Sequence, residues 1–161
     1  MIMYWREIIV NWGESDPFGL VYYPRIMAWF NDTEHELFRS IGFPIDKMIK
    51  NDRVAFVMGE VHFRFIGPAS YGDCVKTIIE LNEIRDKTLH WNCNAVNVTT
   101  GDLITEGRAT RVYARINEDG TLSAKSIPEN IAATLRNVVT LDSLSEENMR
   151  EVTGSHLNNK W

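Results

Sequence analysis

A single long helical pattern, followed almost entirely by strand patterns, most constrains what this chain can fold into. Apolar residues at helical spacing predict a helix that begins at Pro24, where the missing N–H of proline costs nothing. This apolar stripe consists of Ile26, Phe30, Leu37 and Ile41. Gly42 and Pro44 predict the end of the helix. Because one helix covers only one face of a sheet, we expect the other face or an edge to meet a second subunit.

Five segments alternate apolar and polar residues with the period of two that is typical of strands. They cover residues 3–12, 60–65, 74–85, 88–98 and 103–116. The shared apolar face of the fourth segment consists of Leu89, Trp91, Cys93 and Ala95. After Ala95 the apolar residues of this segment move to the opposite alternation, which predicts a β-bulge near Ala95. Pro128 opens a second predicted helix, to about Val138. This order predicts an α+β protein with an antiparallel sheet, one long helix and a homo-oligomeric state.

Composition limits the classes of partner and compartment. The 161 residues are expected to form one domain over 1–140, with a polar C-terminal extension over 141–161. The net charge of −5 argues against nucleic acid and against a membrane surface, because both favour dense Lys and Arg. No membrane span or signal peptide is predicted. Cys74 and Cys93 show neither metal-ligand spacing nor a disulfide framework, so we expect a cytoplasmic protein with reduced thiols.

The segment WGESDPFGLVYYP, residues 12–24, places an acid in a tight loop directly before the long helix. A helix N-terminus offers free N–H groups and about half a positive charge, which suit an oxyanion. A carboxylate held opposite these groups can attack a carbonyl carbon or deprotonate water. For the loop taken alone, an Asp that caps its own turn is the more frequent arrangement. Together with the surrounding motif, the position of Asp16 favours a catalytic carboxylate.

The order of the elements and this segment resemble the hot-dog fold acyl-CoA thioesterases, in particular the 4-hydroxybenzoyl-CoA thioesterase type. The matching residues are Gly13, Asp16, Pro17, Gly19, Val21, Tyr23, Pro24 and Trp29. A weaker match lies at ASYGD, residues 69–73, and the resemblance covers about residues 5–125. It implies an antiparallel sheet wrapped around the long helix. It also implies homodimers with active sites at the subunit interface, paired further into tetramers.

The function that this resemblance implies is hydrolysis of an acyl-CoA thioester to a free acid and CoA. Asp16 would act as the nucleophile or the general base, and the backbone N–H of Tyr23 would donate to the oxyanion. Coenzyme A is then part of the substrate, and no metal or separate cofactor is expected. The leaving thiol has a pKa of roughly 8 to 9, so the enzyme's main tasks are to polarise the carbonyl and to supply an oxygen nucleophile.

Candidate substrate contacts follow from the same resemblance. Arg85, Lys87 and Thr88 lie where related thioesterases carry a basic phosphate-binding run, although Asp86 interrupts the run here. Alternative phosphate contacts on the last strand are Arg108, Arg111 and Arg115. Candidate residues of the acyl pocket are Phe18, Tyr22, Trp29, Phe30 and Asn31. Asn31 stands where the aromatic-acyl type carries an acid, so the identity of the acyl group stays open.

Three alternatives compete with this interpretation. Glu34 and Glu36 are further acids on the helix, and some hot-dog thioesterases use a helix glutamate, but we expect both side chains to be solvated. An enoyl-CoA hydratase is disfavoured because Val21 occupies the position of the histidine in that pattern. A non-catalytic acyl-CoA-binding or scaffolding dimer would tolerate loss of Asp16, so the intact loop counts against it. The four histidines, His35, His62, His90 and His156, show no triad or metal pattern.

Overall fold

The computed structural model describes residues 2–137, so the predicted extension over 141–161 lies outside the described residues. Its strands are β1 (Met3–Ile9), β2 (Val54–Phe65), β3 (Cys74–Ile84), β4 (Thr88–Asn97), β5 (Leu103–Ile116) and β6 (Leu122–Ala124). They form one antiparallel sheet in the order β1-β3-β4-β5-β2, and β6 pairs with the end of β5. The predicted strands over 74–85, 88–98 and 103–116 are confirmed to within one residue at either end.

The long helix α1 (Tyr23–Ser40) begins one residue before the predicted start, and Pro24 lies in its first turn. Its end is a glycine-terminated motif, in which the Phe43 N–H donates to the Phe38 carbonyl oxygen at 2.8 Å across Gly42. Both helix signals in the sequence are therefore confirmed. A short helix α2 (Ile45–Lys47), which the sequence did not predict, carries the chain from α1 towards β2.

The core lies between α1 and the inner face of the sheet. From α1 the buried side chains are Ile26, Trp29, Phe30, Thr33, Glu34, Leu37 and Phe38. The predicted apolar face of β4 is confirmed, because Leu89, Trp91, Cys93 and Ala95 are all buried. The predicted bulge is confirmed as well, since the β4–β5 register shifts between Ala95 and Val96. A further helix, α3 (Glu129–Asn137), adds Ile131 and Leu135 to the same core. The predicted α+β architecture, a sheet wrapped around one long helix, is confirmed.

Two predicted strand boundaries were wrong. The first strand ends at Ile9 instead of residue 12, because the chain turns into a single 3₁₀ turn (Trp12–Glu14) that leaves Trp12 77% exposed. The strand predicted over 60–65 begins at Val54, because β5 supplies pairing partners along its whole length, with a register shift between Met58 and Glu60. Within residues 2–137, no helix has the length and hydropathy to cross a membrane.

Candidate active site

Asp16 lies in a tight turn that its own backbone and carboxylate hold together. The Gly19 N–H donates to the Asp16 carbonyl oxygen at 2.9 Å, and the Asp16 N–H donates to the Leu20 carbonyl oxygen at 2.7 Å. Asp16 Oδ1 accepts the N–H groups of Phe18 at 2.8 Å and Leu20 at 3.1 Å. Gly19 has a φ of +78°, which favours glycine at this position. The turn therefore fixes the carboxylate through one oxygen, and Oδ2 accepts no hydrogen bond from the described residues.

The start of α1 presents a backbone donor near this turn. The Tyr22 N–H donates to the Glu14 carbonyl oxygen at 2.8 Å, and the Arg25 N–H donates to the Tyr22 carbonyl oxygen at 2.8 Å. Pro24 has no N–H. The Tyr23 N–H finds no acceptor among residues 2–137, as expected for a residue in the first turn of a helix. It is thus available to a ligand, at the positive end of the helix dipole.

An open crevice of about 550 Å³ separates the Asp16 turn from the helix start. It is lined by Gly13, Ser15, Asp16, Pro17, Tyr22, Pro24, Arg25 and Ala28. The structure therefore brings Asp16 and Tyr22 together with Pro24 and Arg25 of the first turn of α1, whereas Tyr23, the predicted oxyanion donor, is not among the residues that line the crevice. Sequence reasoning missed Arg25, whose position directly after the Tyr-Pro start of the helix was the available signal. Ser15, which lacks the sequence context of a nucleophile, lines the crevice as well, and its hydroxyl is buried without a hydrogen-bond partner among the described residues.

Glu14 connects the turn to its surroundings through both carboxylate oxygens. Oε1 accepts the indole N–H of Trp29 at 2.8 Å, and Oε2 accepts the Asn11 N–H at 2.7 Å. Trp29 is only 4% exposed and lines neither the crevice nor the small cavity described below. The structure thus places Trp29, a predicted pocket residue, behind the loop, and a contact between Trp29 and the acyl group stays a prediction.

The segment that gave the weaker family match also supports the Asp16 loop. The Val21 N–H donates to the Ala69 carbonyl oxygen at 2.8 Å, and Leu20 and Ser70 form an isolated antiparallel bridge. Asp73 accepts the Ser70 N–H at 2.9 Å and so closes its own turn. These backbone contacts hold the chain between the turn and α1 against the loop before β3.

Glu34 lies in the core as half of an ion pair, so the expectation of a solvated side chain was wrong. It is 6% exposed, and its Oε2 accepts Arg111 Nε at 2.8 Å. Arg111 Nη2 also donates to Asn31 Oδ1 at 2.8 Å. Arg111 is therefore unavailable to a phosphate in this conformation, and that alternative was wrong. Glu36 is half-buried and pairs with Arg6 at 2.8 Å.

Burial dominates the electrostatics around Glu34. It raises the pKa of the Glu34 carboxyl, and the charge and hydrogen bonds of Arg111 oppose that rise. The indole N–H of Trp91 faces the same carboxyl and lowers its pKa slightly, although neither Trp91 Nε1 nor Glu34 Oε1 has a well-formed hydrogen bond with the described residues. Burial, with a smaller effect from Glu34, raises the pKa of the Cys93 thiol to about 12.

A small cavity of about 40 Å³ lies beside this ion pair and is separate from the Asp16 crevice. Phe30 and Asn31, two predicted pocket residues, line this cavity and not the crevice. The Phe30 ring stacks on Phe63 with centroids 5.1 Å apart. Phe63 in turn lies over Gly107, where a Cβ atom would come within 2.2 Å of Phe63 Cδ1. The packing therefore depends on glycine at residue 107.

The predicted phosphate contacts lie on the β3–β4 turn and not at the crevice. Arg85 pairs with Glu83 at 2.9 Å, and the Thr88 hydroxyl is 2.9 Å from His90 Nε2. Neither these residues nor Lys87 line the Asp16 crevice of the same protomer. In the described part of the chain, no group of three or more His, Cys, Asp or Glu side chains is arranged to hold a metal ion.

Large aromatic side chains at the Asp16 turn and at the start of α1 are exposed, and Tyr22 among them lines the crevice. Phe18, predicted as a pocket residue, is 87% exposed at the tip of the turn. Tyr22 and Tyr23 are both exposed, and their ring centroids lie 5.4 Å apart. Tyr23 also contacts the exposed Phe65 ring at the end of β2, at 5.9 Å. An uncovered aromatic surface of this kind is typical of an interaction site.

Comparison with protein families decides the classification. A model described as the thioesterase-like superfamily matches residues 10–135, which is most of the chain. The chain belongs to the thioesterase-like superfamily. The predicted enzyme class, a thioester hydrolase, is thus confirmed at the level of this superfamily. No curated protein sequence matches this thioesterase-like chain significantly.

Solved structures resemble this thioesterase-like protein closely in fold. The 4-hydroxybenzoyl-CoA thioesterase from Pseudomonas sp. strain CBS-3 has a TM-score of 0.75 at 20% identity, over 82% of this chain and 98% of that chain. A 1,4-dihydroxy-2-naphthoyl-CoA thioesterase from Synechocystis has a TM-score of 0.75 at 12% identity, over 84% and 97%. A gentisyl-coenzyme A thioesterase has a TM-score of 0.71 at 24% identity, over 80% and 98%. These similarities establish the hot-dog fold that the sequence predicted.

Proposed function

We propose that this thioesterase-like protein hydrolyses an acyl-CoA thioester in the crevice between the Asp16 turn and the start of α1. One observation carries the proposal: a carboxylate with a free oxygen and the first turn of a helix line the same open crevice. Membership of the superfamily and the fold support it. The three solved thioesterases named above act on aromatic acyl-CoA thioesters, which agrees with this reaction class.

In this proposal the helix start polarises the thioester. The carbonyl oxygen of the substrate accepts the Tyr23 N–H, and the helix dipole stabilises the negative charge that develops on that oxygen. Removal of one such donor in other enzymes costs about 10²- to 10³-fold in kcat. Because the donor is a backbone group, the conformation of the first turn of α1 matters more than the Tyr23 side chain.

In this proposal Asp16 either attacks the thioester itself or activates the attacking water. As a nucleophile, Asp16 Oδ2 attacks the carbonyl carbon, the C–S bond breaks, CoA leaves as a thiolate that takes a proton from solvent, and water then hydrolyses the mixed anhydride. As a general base, Asp16 takes a proton from a water that attacks the same carbon, and the collapse of the tetrahedral intermediate expels CoA. Both routes give the free acid and CoA.

Contacts to the rest of the substrate are part of the same proposal. Arg25 lines the crevice and offers a guanidinium to a CoA phosphate from the same protomer. Arg85, Lys87 and Thr88 would serve this purpose only if a second protomer brought its β3–β4 turn to the crevice. Phe18 and Tyr22 supply aromatic surface beside Asp16 for an acyl group, whose identity the assay below is designed to find.

A homodimer is the assembly that fits this site. Among residues 2–137, strand β2 pairs with β5 on one side only, and its twelve residues end at the exposed Phe65 beside Tyr23. An edge strand with an uncovered aromatic patch is a surface that a second copy can cover. Pairing of dimers into tetramers and a cytoplasmic location remain predictions from the sequence.

The proposal is tested by thiol release from a panel of short, medium and aromatic acyl-CoA thioesters. Asp16→Asn is expected to lower kcat/KM on the best substrate by about 100-fold or more, because the amide can neither attack nor accept a proton. Asp32→Asn, an exposed acid on α1, is the matched control and should retain the parent rate. Equal rates for Asp16→Asn and the parent would refute the role of Asp16. Tight acyl-CoA binding without any cleavage would instead support the non-catalytic alternative.

A further inference from the structure

We infer that Glu14 is a positioning residue, which sets the spacing between the Asp16 carboxylate and the oxyanion donor of α1. The inference rests on the proposed function and adds to it a residue that the motif does not single out. Three hydrogen bonds of Glu14 carry the argument. They reach Asn11 at the start of the loop, the N-cap of α1 and the second turn of α1.

The backbone of Glu14 holds the start of α1. The Glu14 carbonyl oxygen accepts the Tyr22 N–H at 2.8 Å, and Tyr22 is the N-cap of α1. Tyr22 lies next to Tyr23, whose N–H is the proposed oxyanion donor. The backbone of Glu14 thus fixes the chain one residue before that donor, while Asp16 follows Glu14 by two residues.

The side chain of Glu14 makes two further hydrogen bonds. Glu14 Oε1 accepts the Trp29 indole N–H at 2.8 Å, and Trp29 is held in the core at 4% exposure. Glu14 Oε2 accepts the Asn11 N–H at 2.7 Å. One carboxylate therefore ties the loop to a rigid point on α1 and also caps the loop's own 3₁₀ turn, whose N-cap is Asn11. A hydrogen bond to a charged group is stronger than one between neutral groups, which suits this purpose.

The distance between the Asp16 carboxylate and the Tyr23 N–H determines the reaction rate in this scheme. The reacting carbon must lie between the Asp16 oxygen and the Tyr23 N–H, so the rate depends on the separation of these two groups. A misplacement of about 1 Å can cost on the order of 10²-fold in rate without preventing binding. Glu14 touches neither the substrate nor the reacting atoms in this scheme, and it acts through the segments that it connects.

The test compares Glu14→Ala with Glu36→Ala, which removes a carboxylate that ties α1 to β1 through Arg6, away from the crevice. Glu14→Ala is expected to lower kcat by about 30- to 100-fold while KM changes by less than about threefold. Glu36→Ala should keep kcat near that of the parent. Glu14→Gln retains one acceptor oxygen and should recover part of the rate.

A double variant separates positioning from general loss of structure. Trp29→Phe removes the indole donor and should lower kcat by roughly tenfold, whereas Glu14→Ala/Trp29→Phe should be no slower than Glu14→Ala, since both changes break one contact. The inference is overturned if kcat of Glu14→Ala stays within about threefold of the parent, or if Glu36→Ala loses as much rate.

Amide hydrogen exchange gives a readout that does not depend on activity. Exchange of the Tyr22 and Asp16 N–H groups is expected to be at least about tenfold faster in Glu14→Ala and unchanged in Glu36→Ala. Unchanged exchange in Glu14→Ala overturns the inference even if no thioester is cleaved. Fast exchange in a protein that cleaves no thioester would refute the proposed function while retaining the role of Glu14 in ordering the loop.

Discussion

Asp16 and Glu34 are two carboxylates beside the same helix in opposite physical settings. Asp16 is half-buried, lines an open crevice and is held by backbone N–H groups through one oxygen. Glu34 is buried and accepts the guanidinium of Arg111. The first arrangement leaves an oxygen for a substrate, whereas the second commits the acid to the core. This difference shows that an acid near the helix of an active site is a candidate catalyst only when one of its carboxylate oxygens stays accessible to the substrate.

The largest expected effect tests the structural half of this comparison. Arg111→Met should lower the free energy of unfolding by about 3–5 kcal/mol, because it leaves the Glu34 carboxylate buried without its partner. Chemical denaturation measures the change. Arg108→Met, on the outer face of the same strand, should change stability by only about 0.5 kcal/mol. Equal, small changes would mean that the Glu34 pair contributes nothing to the fold.

The next effect tests the catalytic half. Asp16→Asn keeps an acceptor oxygen for the Phe18 and Leu20 N–H groups, so its free energy of unfolding should stay within about 1 kcal/mol of the parent. The expected loss of about 100-fold in kcat/KM corresponds to roughly 2.7 kcal/mol of transition-state stabilisation. A denaturation curve and the thiol-release assay on one preparation measure both. A variant that lost stability and kept activity would reverse the assignment of the two acids.

A smaller effect on stability is expected at Gly107, on the inner face of the sheet, near the small cavity beside the Glu34–Arg111 ion pair. Gly107→Ala should lower the free energy of unfolding by about 1–3 kcal/mol, because the new methyl group overlaps both the Phe63 ring and the His62 carbonyl oxygen. In a Phe63→Leu background, which shortens the obstructing side chain, the same change should cost less. If Gly107→Ala were neutral in the parent, the close contact with Phe63 would be wrong.

The smallest expected effect is on the reactivity of the Cys93 thiol, which reports whether the core around Glu34 stays closed to solvent. Burial raises the pKa of Cys93 to about 12, so at pH 8 only about one thiol in ten thousand is ionised. A maleimide reagent should therefore modify the half-buried Cys74 and spare Cys93 in the folded protein. The Cys93 rate should rise about tenfold per pH unit, since thiolate is the reactive form. Equal labelling of both cysteines, measured by mass spectrometry, would show that this region opens readily.

The parts of the fold that were predictable from the sequence depend on local signals. Pro24 and Gly42 mark the two ends of α1, and a parity shift marks the bulge at Ala95. The first half of β2 was missed because its pairing with β5 is a tertiary interaction, and β6 was missed because it is only three residues long. Neither leaves a strong periodic pattern in the sequence.

In the candidate site, too, some features were predictable from the sequence and others were not. The turn around Asp16 and its place before α1 follow from the motif. The burial of Glu34 was also readable, because Glu34 follows Phe30 by four residues and precedes Leu37 by three, on the apolar stripe. Arg108 and Arg111 are three residues apart on one strand, so they had to face opposite sides of the sheet. The hydrogen bond between Glu14 and Trp29 could not be foreseen, because it depends on how the loop packs against the helix.

The bond between the Asn11 N–H and Glu14 has a consequence for how proteins of this shape can diverge. This bond caps the 3₁₀ turn that lies directly before Ser15 and the reactive acid, so adding or deleting one residue there would change activity before it changed the fold. By contrast, the solvent-facing turn over residues 99–102 could vary in length at little cost. We therefore expect evolutionary drift near Asp16 to proceed by replacement of side chains, with gaps and insertions confined to distant turns.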